Sequence, residues 1–485
     1  MEISDVVIVG GALVLGAYAF VFGFLRRIND WCYAAGKRHL PPGDMGWPFL
    51  GAMPAFLSAF RSNPNSFVSG LISRYGRTGI YRTYLFGCPT ILVVGSDMAR
   101  KVLTDDENFT LGYPKAATTL AGKKSLHGIS RAEHKRIRRL ITGPISGHEA
   151  LSSYISLLER ITVQLLDEWS SMKTPIPLLI EMRRFAFAVI TNIFVSSDID
   201  AIDLGMFENM YADLNRGMKS LAINLPGFAF HKALKAREKA KKLLQGLVER
   251  KRKRLKEGRT EKDMMDLLME AKDEDGGQME DEDITDLLLL FLMAGHESTA
   301  HAIMWTLIFL GQHPQYFQKA KKEQEEIAAR RPSSQKGLSL REIKQMDYLS
   351  KVVDEMLRMI SISLSNFRKA KAEVNINGYI IPKDWKVLVF NRGLHMDPEI
   401  YANPEEFNPS RWDNYKGGKT GAFLPFGLGT RHCPGNDLAR FEIAIFLHHF
   451  LLNYRMERID EKCSMVYLPI PRPSDNCLAR IVKVE

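Results

Sequence analysis

Cysteine is scarce in this sequence: there are five in 485 residues, and no two of them form a C-x-x-C pair. This scarcity excludes a disulfide framework and a paired-cysteine metal site, and it is typical of proteins in a reducing compartment. The chain also lacks internal repeats, low-complexity tracts and any linker rich in proline, glycine and serine. The lack of a linker favours one large folded unit over a string of separate domains.

The composition is that of a folded protein with a large core. Apolar residues make up 45%, charged residues 25% and aromatic residues 10%, which excludes disorder, collagen and coiled coil. Lysine and arginine (66) exceed aspartate and glutamate (56), so the formal net charge is +10. This charge is compatible with a nucleic acid, an anionic membrane or an acidic protein as partner, and its sign alone does not choose among them.

The amino-terminal segment Val6–Leu25 carries no charge. A helix of this length is about 30 Å long, which matches the hydrocarbon core of a bilayer. Acidic residues precede it and basic residues follow it, namely Glu2, Asp5, Arg26, Arg27, Lys37 and Arg38. The positive-inside rule then places residues 1–5 in the lumen, residues 6–25 in the membrane and the rest of the chain in the cytosol. The alternative is a cleaved signal peptide, but no A-x-A cleavage pattern follows.

The next segment, residues 26–50, is basic and contains LPPGDMGWP from Leu40 to Pro48. Prolines fix φ and glycines allow turns, so we expect a stiff, non-helical lead-in to a globular part at residues 51–485. The basic run Arg250–Arg254 resembles a nucleic-acid patch. On a helix that follows a membrane anchor we interpret this run as a solvated face, and we expect no nucleic-acid partner.

A second apolar stretch, Leu287–Leu310, is about as long as the first, but its middle contains Gly-His-Glu-Ser-Thr at residues 295–299. An acid at the centre of a lone spanning helix costs about 2.5–3.5 kcal/mol. We therefore predict a buried core helix, with the acidic cluster 280–283 at its start and Pro314 at its end.

Hydrophobic periodicity predicts further helices and a few short strands. The helices cover residues 132–142, 151–172, 180–194, 231–256, 316–329 and 348–359. The strands cover residues 80–85, 90–94, 374–376, 379–381 and 386–390. Asn377-Gly378 predicts a hairpin turn between the third and fourth strands. The sequence thus predicts a mainly α fold with small β-sheets.

One cysteine has unusual surroundings. The segment FLPFGLGTRHCPG, from Phe423 to Gly435, packs three glycines and two prolines around Cys433, and a helix is predicted from Asn436. The N–H groups of such a loop and the start of a helix favour a thiolate, so Cys433 is predicted to be an anionic metal ligand. The other four cysteines lack such surroundings and are interpreted as small buried hydrophobes.

The pattern F-x-x-G-x-R-x-C-x-G around Cys433 resembles the cytochrome P450 signature. Three more segments resemble P450 motifs in the family's order: AGHEST at 294–299, the pair Glu355 and Arg358, and PSRW at 409–412. With the anchor and lead-in, the resemblance covers essentially the whole chain. It implies a P450 fold preceded by one transmembrane helix, with haem b as cofactor and Cys433 as the axial ligand of its iron.

The P450 resemblance also implies roles for polar side chains. A thiolate ligand favours O–O cleavage, and Glu297, Ser298 and Thr299 would relay the protons that this cleavage needs. The family's usual threonine after the acid is Ser298 here, so the choice between the two hydroxyls stays open. A buried charged triad with a structural role is implied for Glu355, Arg358 and Arg411.

The resemblance further implies which side chains hold the haem. Arg138, Arg368 and Arg431 match positions that bind the propionates by charge-assisted hydrogen bonds. The family usually has a tryptophan four residues before the first of these arginines, where this chain has His134, which can still donate a hydrogen bond. Phe426, from the cysteine loop, is assigned to the cofactor site with them.

Four segments resemble one plant subfamily, the ent-kaurenoic acid oxidases: residues 40–48, 147–151, 225–234 and 433–439. This resemblance implies multi-step oxidation of a diterpene acid on the gibberellin route. Triterpene-oxidising relatives such as β-amyrin 11-oxidase share these segments and are the alternative. A diterpene carboxylate in an apolar pocket needs a cationic or multi-donor partner. The candidates are Lys115, Arg216 and Lys219, and the alternative for each is a solvated surface position.

The resemblance places the protein in the endoplasmic reticulum membrane with its catalytic domain in the cytosol. The expected partners are O2, membrane lipid, a hydrophobic terpenoid and NADPH–cytochrome P450 reductase, whose acidic docking surface suits a basic body. One rival is a haem-thiolate isomerase or dehydratase, which needs neither O2 nor reductase, and Glu297 with its neighbouring hydroxyls argues against it. A non-catalytic haem sensor or carrier is the other rival, and it would have no use for a proton relay.

Overall fold

The computed structural model describes residues 3–122, 125–126, 129–195, 201–255, 263–273, 276–415, 421–468 and 470–484. The helices are α1 (Ile3–Ala34), α2 (Met53–Ser62), α3 (Asn65–Tyr75), α4 (Ser96–Thr104), α5 (Lys115–Ala121), α6 (Arg131–Ser146), α7 (His148–Ser171), α8 (Leu178–Val195), α9 (Ala201–Met218), α10 (Ala229–Leu255), α11 (Met264–Glu270), α12 (Asp281–Gln312), α13 (Pro314–Ala329), α14 (Leu340–Ile343), α15 (Asp347–Ile360), α16 (Asn391–His395) and α17 (Asn436–Asn453). The strands are β1 (Ile80–Leu85), β2 (Cys88–Val93), β3 (Phe109–Leu111), β4 (Ile176–Pro177), β5 (Asn366–Ala370), β6 (Val374–Ile376), β7 (Tyr379–Ile381), β8 (Lys386–Val389), β9 (Tyr454–Arg458), β10 (Met465–Val466), β11 (Arg472–Pro473) and β12 (Leu478–Lys483). The predicted mainly α fold with small sheets is confirmed.

The first of two compact units consists of Met1–Gly112, Leu364–Tyr401 and Gly417–Leu424. Its five-stranded sheet has the order β1-β2-β8-β5-β3, in which β2 and β8 are parallel and the other neighbours antiparallel. Strands β6 and β7 form a hairpin. Asn377 and Gly378 at its turn have φ of 51° and 87°, values that Asn-Gly turns adopt readily, so the predicted hairpin is confirmed.

The lead-in after α1 lies against strand β1 of the same unit. The N–H of Arg82 donates to Pro42 O at 2.9 Å. A Cβ at Gly43, where φ is 140°, would lie 2.1 Å from Arg82 O, so only glycine fits this close approach. Asp30, near the end of α1, pairs with Arg82 at 3.0 Å. Residues 38–52 contain no helix, as the prolines predict.

The second unit consists of Tyr113–Ser363, Ala402–Lys416 and Pro425–Glu485. Helix α12 runs through it and packs against α8, α10, α15 and α17. Among the described residues, α12 is the one helix long and apolar enough to cross a membrane, but 78% of its most apolar window is buried inside the protein. The predicted core helix over Leu287–Leu310 is therefore confirmed.

Aromatic side chains fix α17 in the core of the second unit. The ring centroid of Phe446 lies 5.0 Å from that of Phe185 on α8 and 6.3 Å from that of Trp169 on α7. Burial of one such side chain contributes about 1.5–3 kcal/mol. Because α17 follows the cysteine loop directly, this packing also fixes the position of the loop. The sheet β4-β12-β9 and the hairpin β10–β11 complete the unit.

The sequence missed α9. Two glycines, Gly205 and Gly217, lower its helix propensity, so packing against α10 stabilises it instead. A Cβ at Gly217 would lie 2.1 Å from Ala233 Cβ on α10, so the glycine allows the two helices to approach closely. The six helices predicted from hydrophobic periodicity match α6, α7, α8, α10, α13 and α15 within a few residues. Lys256, the predicted end of α10, lies outside the described residues.

Candidate active site

The loop before α17 fixes Cys433 through its own backbone. Gly427 and Gly429 have φ of 75° and 76°, a region that favours glycine. A 3₁₀ turn covers Gly429–Arg431, and the N–H of Cys433 donates back to Phe426 O at 2.9 Å. Helix α17 begins three residues after the cysteine. The glycines of the signature are therefore needed to make the turn that presents the sulfur.

The surroundings of the Cys433 sulfur act on its pKa in two directions. Burial raises the pKa of the thiol, while the Gly435 N–H and the guanidinium of Arg138 lower it by less. The predicted effect of the loop donors is present, but it is smaller than the effect of burial. The loop alone therefore leaves a protonated thiol, from which a bound metal ion would displace the proton.

The side chains expected to hold a cofactor carboxylate lie on several elements. Arg138 lies on α6, and its buried Nη1 has no hydrogen-bond partner within the described part of the chain. Burial lowers its pKa, and Cys433 raises it. His134 is buried one turn earlier on the same helix. Arg431 donates through Nη1 to Leu126 O at 2.9 Å. The second unit thus brings Arg138 close to the sulfur and leaves one of its donors free.

Two further predicted cofactor residues have other surroundings. Phe426 lies with its ring 5.2 Å from the guanidinium of Arg440, which lies on the first turns of α17. Arg368 is buried on β5 of the first unit, where its Nη1 donates to Phe367 O at 3.3 Å.

The three residues of the predicted triad meet around one fully buried carboxylate. Arg358 donates to both oxygens of Glu355, from Nη2 at 2.8 Å and from Nε at 2.9 Å. Arg411 adds a third bond from Nε at 3.2 Å. The indole N–H of Trp412 and the backbone N–H of Asn408 bring two more, at 3.0 and 3.1 Å. Five donors therefore surround a single buried negative charge.

The polar segment of α12 presents its two hydroxyls to different surroundings. Ser298 is partly exposed on the same face as the exposed Ala294, and its Oγ donates to Ala294 O at 3.0 Å. Thr299 is buried and faces α17. A Cβ at Gly295 would lie 2.2 Å from Ile190 Cδ1 on α8, so the glycine lets the two helices pack at this level.

Glu297 is held as a carboxylate by an arginine that the sequence analysis missed. Arg183 on α8 donates from Nη2 to Glu297 Oε1 at 2.7 Å. Burial alone would raise the pKa of Glu297, but His301, Arg183 and Lys219 together bring it below its usual value. Since burial lowers the pKa of His301 to about 4, this histidine is neutral at pH 7. The ion pair with Arg183 is therefore the main cause of the ionised state.

A second carboxyl lies behind the hydroxyl of Thr299. Burial raises the pKa of Glu442, on α17, to about 8, and the Thr299 hydroxyl offsets this only in part. Glu442 Oε2 and Thr299 Oγ1 are both buried without a well-formed hydrogen bond to any described residue. Glu442 is therefore a neutral carboxylic acid at pH 7.

The fold and the cysteine loop can be compared with those of known proteins. The family profile described as Cytochrome P450 matches residues 41–470. The chain belongs to the cytochrome P450 family. The retinoic acid-bound cyanobacterial CYP120A1 has the same fold, with a TM-score of 0.81 and 26% sequence identity, over 92% of this P450 and 99% of that chain.

Plant relatives resemble this P450 over nearly its whole length. A β-amyrin 11-oxidase from Glycyrrhiza uralensis is 52% identical over 99% of both chains. A 7,8-epoxymelianol synthase from Ailanthus altissima is 51% identical over 98% of this chain and 96% of the relative. Ent-kaurenoic acid oxidase 1 from Arabidopsis thaliana is 49% identical over 97% and 96%. The predicted family, the subfamily resemblance and the class of enzyme, a P450 monooxygenase, are confirmed.

Arg183 and Glu442 were missed by the sequence analysis. Arg183 interrupts an apolar helix pattern, and that interruption was the available signal for a buried ion pair. Glu442 lies nine residues after Cys433 among apolar residues of α17, where an acid is unexpected. Neither partner, Glu297 or Thr299, is near in sequence, so the pairing required the packing of α12 against α8 and α17.

Proposed function

We propose that this P450 oxidises a terpenoid and is most like an ent-kaurenoic acid oxidase, a multi-step diterpenoid oxidase of gibberellin biosynthesis. The supporting observation is the 49% identity to ent-kaurenoic acid oxidase 1 over 97% of the chain. Oxidation of a triterpenoid skeleton in specialised metabolism is the second candidate. It is supported by 52% identity to a β-amyrin 11-oxidase over 99% of the chain.

The proposed cofactor is haem b, whose iron would be held by the thiolate of Cys433. Arg138 supports this assignment, because its buried Nη1, which has no hydrogen-bond partner among the described residues, fits the carboxylate of a haem propionate. When bound, haem with a thiolate ligand activates O2 for insertion into a C–H bond. The other side chains proposed to hold the haem are Arg431, Arg368, His134 and Phe426.

The sequence places a proton relay at Glu297, Ser298 and Thr299, and the relay proposed here runs through Glu297 and Ser298. Glu297 is ionised, so it can take a proton from water and pass it on. Ser298 lies on the partly exposed face of α12 and Thr299 on the buried one. We therefore assign Ser298 as the hydroxyl that contacts the reacting oxygen, and Thr299 as a residue that positions the helix against α17. Glu355, Arg358 and Arg411 are assigned a structural role.

Membrane attachment is proposed for residues 6–25 of α1 in the endoplasmic reticulum. Residues 1–5 would lie in the lumen, and the lead-in 26–50 and the P450 domain 51–485 in the cytosol. The run without charge supports this, as do the exposed Phe20 and Phe24 among the described side chains of α1. Electrons would come from NADPH through cytochrome P450 reductase, whose acidic surface suits the net charge of +10.

Deletion of residues 1–25 tests the anchor. The full chain should sediment with microsomes and resist extraction by alkaline carbonate, and the shortened chain should leave them while it still binds haem. Membrane attachment of the shortened chain to the same extent would refute the assignment of residues 6–25.

Product analysis tests the function. Microsomes with this P450 and a reductase are given ent-kaurenoic acid or β-amyrin, with and without NADPH, and the products are identified by mass spectrometry. NADPH-dependent gain of oxygen by ent-kaurenoic acid is expected, and gain by β-amyrin alone would select the second candidate. Products without NADPH would indicate an isomerase or dehydratase instead. The variant Cys433→Ala should lose the thiolate-type CO absorption, and persistence of that absorption would exclude Cys433 as the ligand.

A further inference from the structure

Arg440 makes three contacts that reach different parts of the second unit. Its Nη2 donates to Asp354 Oδ1 on α15 at 2.6 Å. Its Nε donates to Asn436 Oδ1, one turn earlier on α17, at 3.2 Å. Its guanidinium carbon lies 5.2 Å from the centre of the Phe426 ring in the cysteine loop. The side chain is 30% exposed, so solvent screens these contacts only in part. Arg440 therefore ties α15, α17 and the cysteine loop together.

The contact with Phe426 acts on the turn that holds Cys433. The carbonyl oxygen of Phe426 accepts a hydrogen bond from the N–H of Cys433 at 2.9 Å, so these two residues close the turn. Between them, Gly427 and Gly429 have no side chains that could pack against the core. A cation within about 6 Å of a ring centre attracts the ring. The guanidinium of Arg440 therefore fixes one end of the turn that presents the sulfur.

Asp354 fixes the position of this guanidinium. It lies on α15 directly before Glu355, which accepts five hydrogen bonds. Burial raises the pKa of Asp354 and Glu355 adds to this rise, while Arg440 opposes both. A planar guanidinium that is bound to a carboxylate along its edge can still stack its face on an aromatic ring. The ion pair with Asp354 therefore holds the guanidinium of Arg440 over the Phe426 ring.

We propose that Arg440 is a positioning residue for the Cys433 thiolate, and that it acts through the Phe426 ring to keep the backbone N–H groups of the loop directed at the sulfur. This inference rests on the proposed haem cofactor and not on the identity of the substrate. N–H donors draw electron density from a ligating sulfur and so raise the reduction potential of the iron. Loosening of the loop should therefore lower this potential and let the thiolate take up a proton more readily.

Arg440→Gln removes the cation from the ring, and Arg440→Gln with Asp354→Asn does so without leaving a carboxylate unpaired. Two quantities are measured on the full-length holoenzyme: the reduction potential, by spectroelectrochemical titration, and the rate at which the thiolate-type CO absorption is lost in dilute urea. Both proteins should show a lower potential and a rate about twofold to fivefold higher, the effect of one cation–π contact. The matched control Arg455→Gln breaks an exposed ion pair with Glu457 in the same unit and should change neither quantity.

A double-mutant cycle with Phe426→Leu separates an effect through the ring from other routes. If Arg440 acts through the ring, Arg440→Gln should add nothing to the shift in potential that Phe426→Leu causes. Equal shifts with and without the ring would overturn the inference, as would an unchanged potential in both Arg440 variants. In either case a normal thiolate-type CO spectrum of the parent protein leaves the proposed function intact. Absence of that spectrum from the parent protein would instead remove the proposed cofactor, and the inference with it.

Discussion

Glu355 and Glu442 are both buried glutamates of the second unit, with exposed fractions of 0% and 1%, yet their surroundings are opposite. Five donors reach the carboxylate of Glu355, two of them from Arg358. Among the described residues, the hydroxyl of Thr299 is the one polar group that affects the pKa of Glu442. Burial is thus the same in the two regions, and what differs is the number of hydrogen-bond donors that reach each carboxyl group.

Glu297 has fewer polar partners than Glu355 and more than Glu442, and this intermediate environment bears on its function. It has one strong partner, Arg183, and its side chain is 14% exposed at a cavity. The Glu355 carboxylate is enclosed by five donors, and Glu442 is buried without access to solvent. Glu297 has both a partner that sets its charge and a route to water, which suits a proton relay.

The largest effect is expected from breaking the network around Glu355. Arg358→Ala would leave a fully buried carboxylate without its main counter-ion, and the expected loss of stability is about 3–5 kcal/mol. The measurement is urea unfolding of the holoenzyme, followed by tryptophan fluorescence. Lys351→Ala is the matched control on the same helix, because it removes a pair with Asp413 at the surface and should cost less than about 1 kcal/mol. Similar losses in the free energy of unfolding in the two variants would show that the buried network stabilises the protein no more than a surface ion pair does.

A smaller effect, on rate, is expected at Glu297. Glu297→Gln keeps the shape of the side chain but cannot carry a proton, so oxygenated product per unit time should fall about a hundredfold. The haem content and the CO spectrum should stay unchanged, which separates this effect from unfolding. Glu168→Gln, at a partly exposed acid of α7, serves as control. A rate within about twofold of the parent would remove Glu297 from the relay.

A pH-dependent effect is expected at Glu442. Its pKa is about 8 in the folded protein against an ordinary value of 4.5, so the folded state binds the extra proton between these values. The stability that this group contributes is complete below pH 4.5 and is lost as the pH rises to 8, by about 1.4 kcal/mol per unit.

Glu442→Gln should remove this dependence of stability on pH. The measurement is the difference between the unfolding midpoints of the parent protein and the variant, followed from pH 5 to pH 8. Glu457→Gln, at an exposed strand position, should give no such difference. A flat difference at Glu442 would mean that the carboxyl is ionised in the folded protein.

Some residues of the site can be predicted from the nearby sequence, and others come together only through the packing of distant helices. The Cys433 loop is predictable, because glycines at positive φ and one thiol lie within a few residues of each other. Glu355 and Arg358 are likewise predictable, since residues three apart share one face of a helix. Arg183 and Glu297 lie 114 residues apart, and no local pattern relates them. Their pairing depends on α8 packing against α12, which Gly295 permits by leaving room for Ile190.

The sequence alone does not choose between the two hydroxyls of α12, for a related reason. Ser298 and Thr299 are neighbours in sequence, but successive residues of a helix point about 100° apart. Which of them meets solvent and which meets α17 depends on the rotation of the helix in the core. That rotation is set by the buried residues along the whole of α12, so the sequence of the motif alone does not contain it.

The smallest effect is expected from removing the hydroxyl of Ser298 or of Thr299, and it distinguishes the roles of these two residues. Ser298→Ala removes a hydroxyl on the partly exposed face of α12, and Thr299→Val removes one on the buried face with little change in shape. If Ser298 contacts the reacting oxygen, its loss should lower product formed per NADPH consumed about threefold to tenfold, the effect of one hydrogen bond. Thr299→Val should leave that ratio unchanged and instead raise the pKa of Glu442, since the Thr299 hydroxyl lowers it. The reverse pattern, with uncoupling in the valine variant alone, would assign the oxygen contact to Thr299 and would make the α12–α17 contact part of the relay.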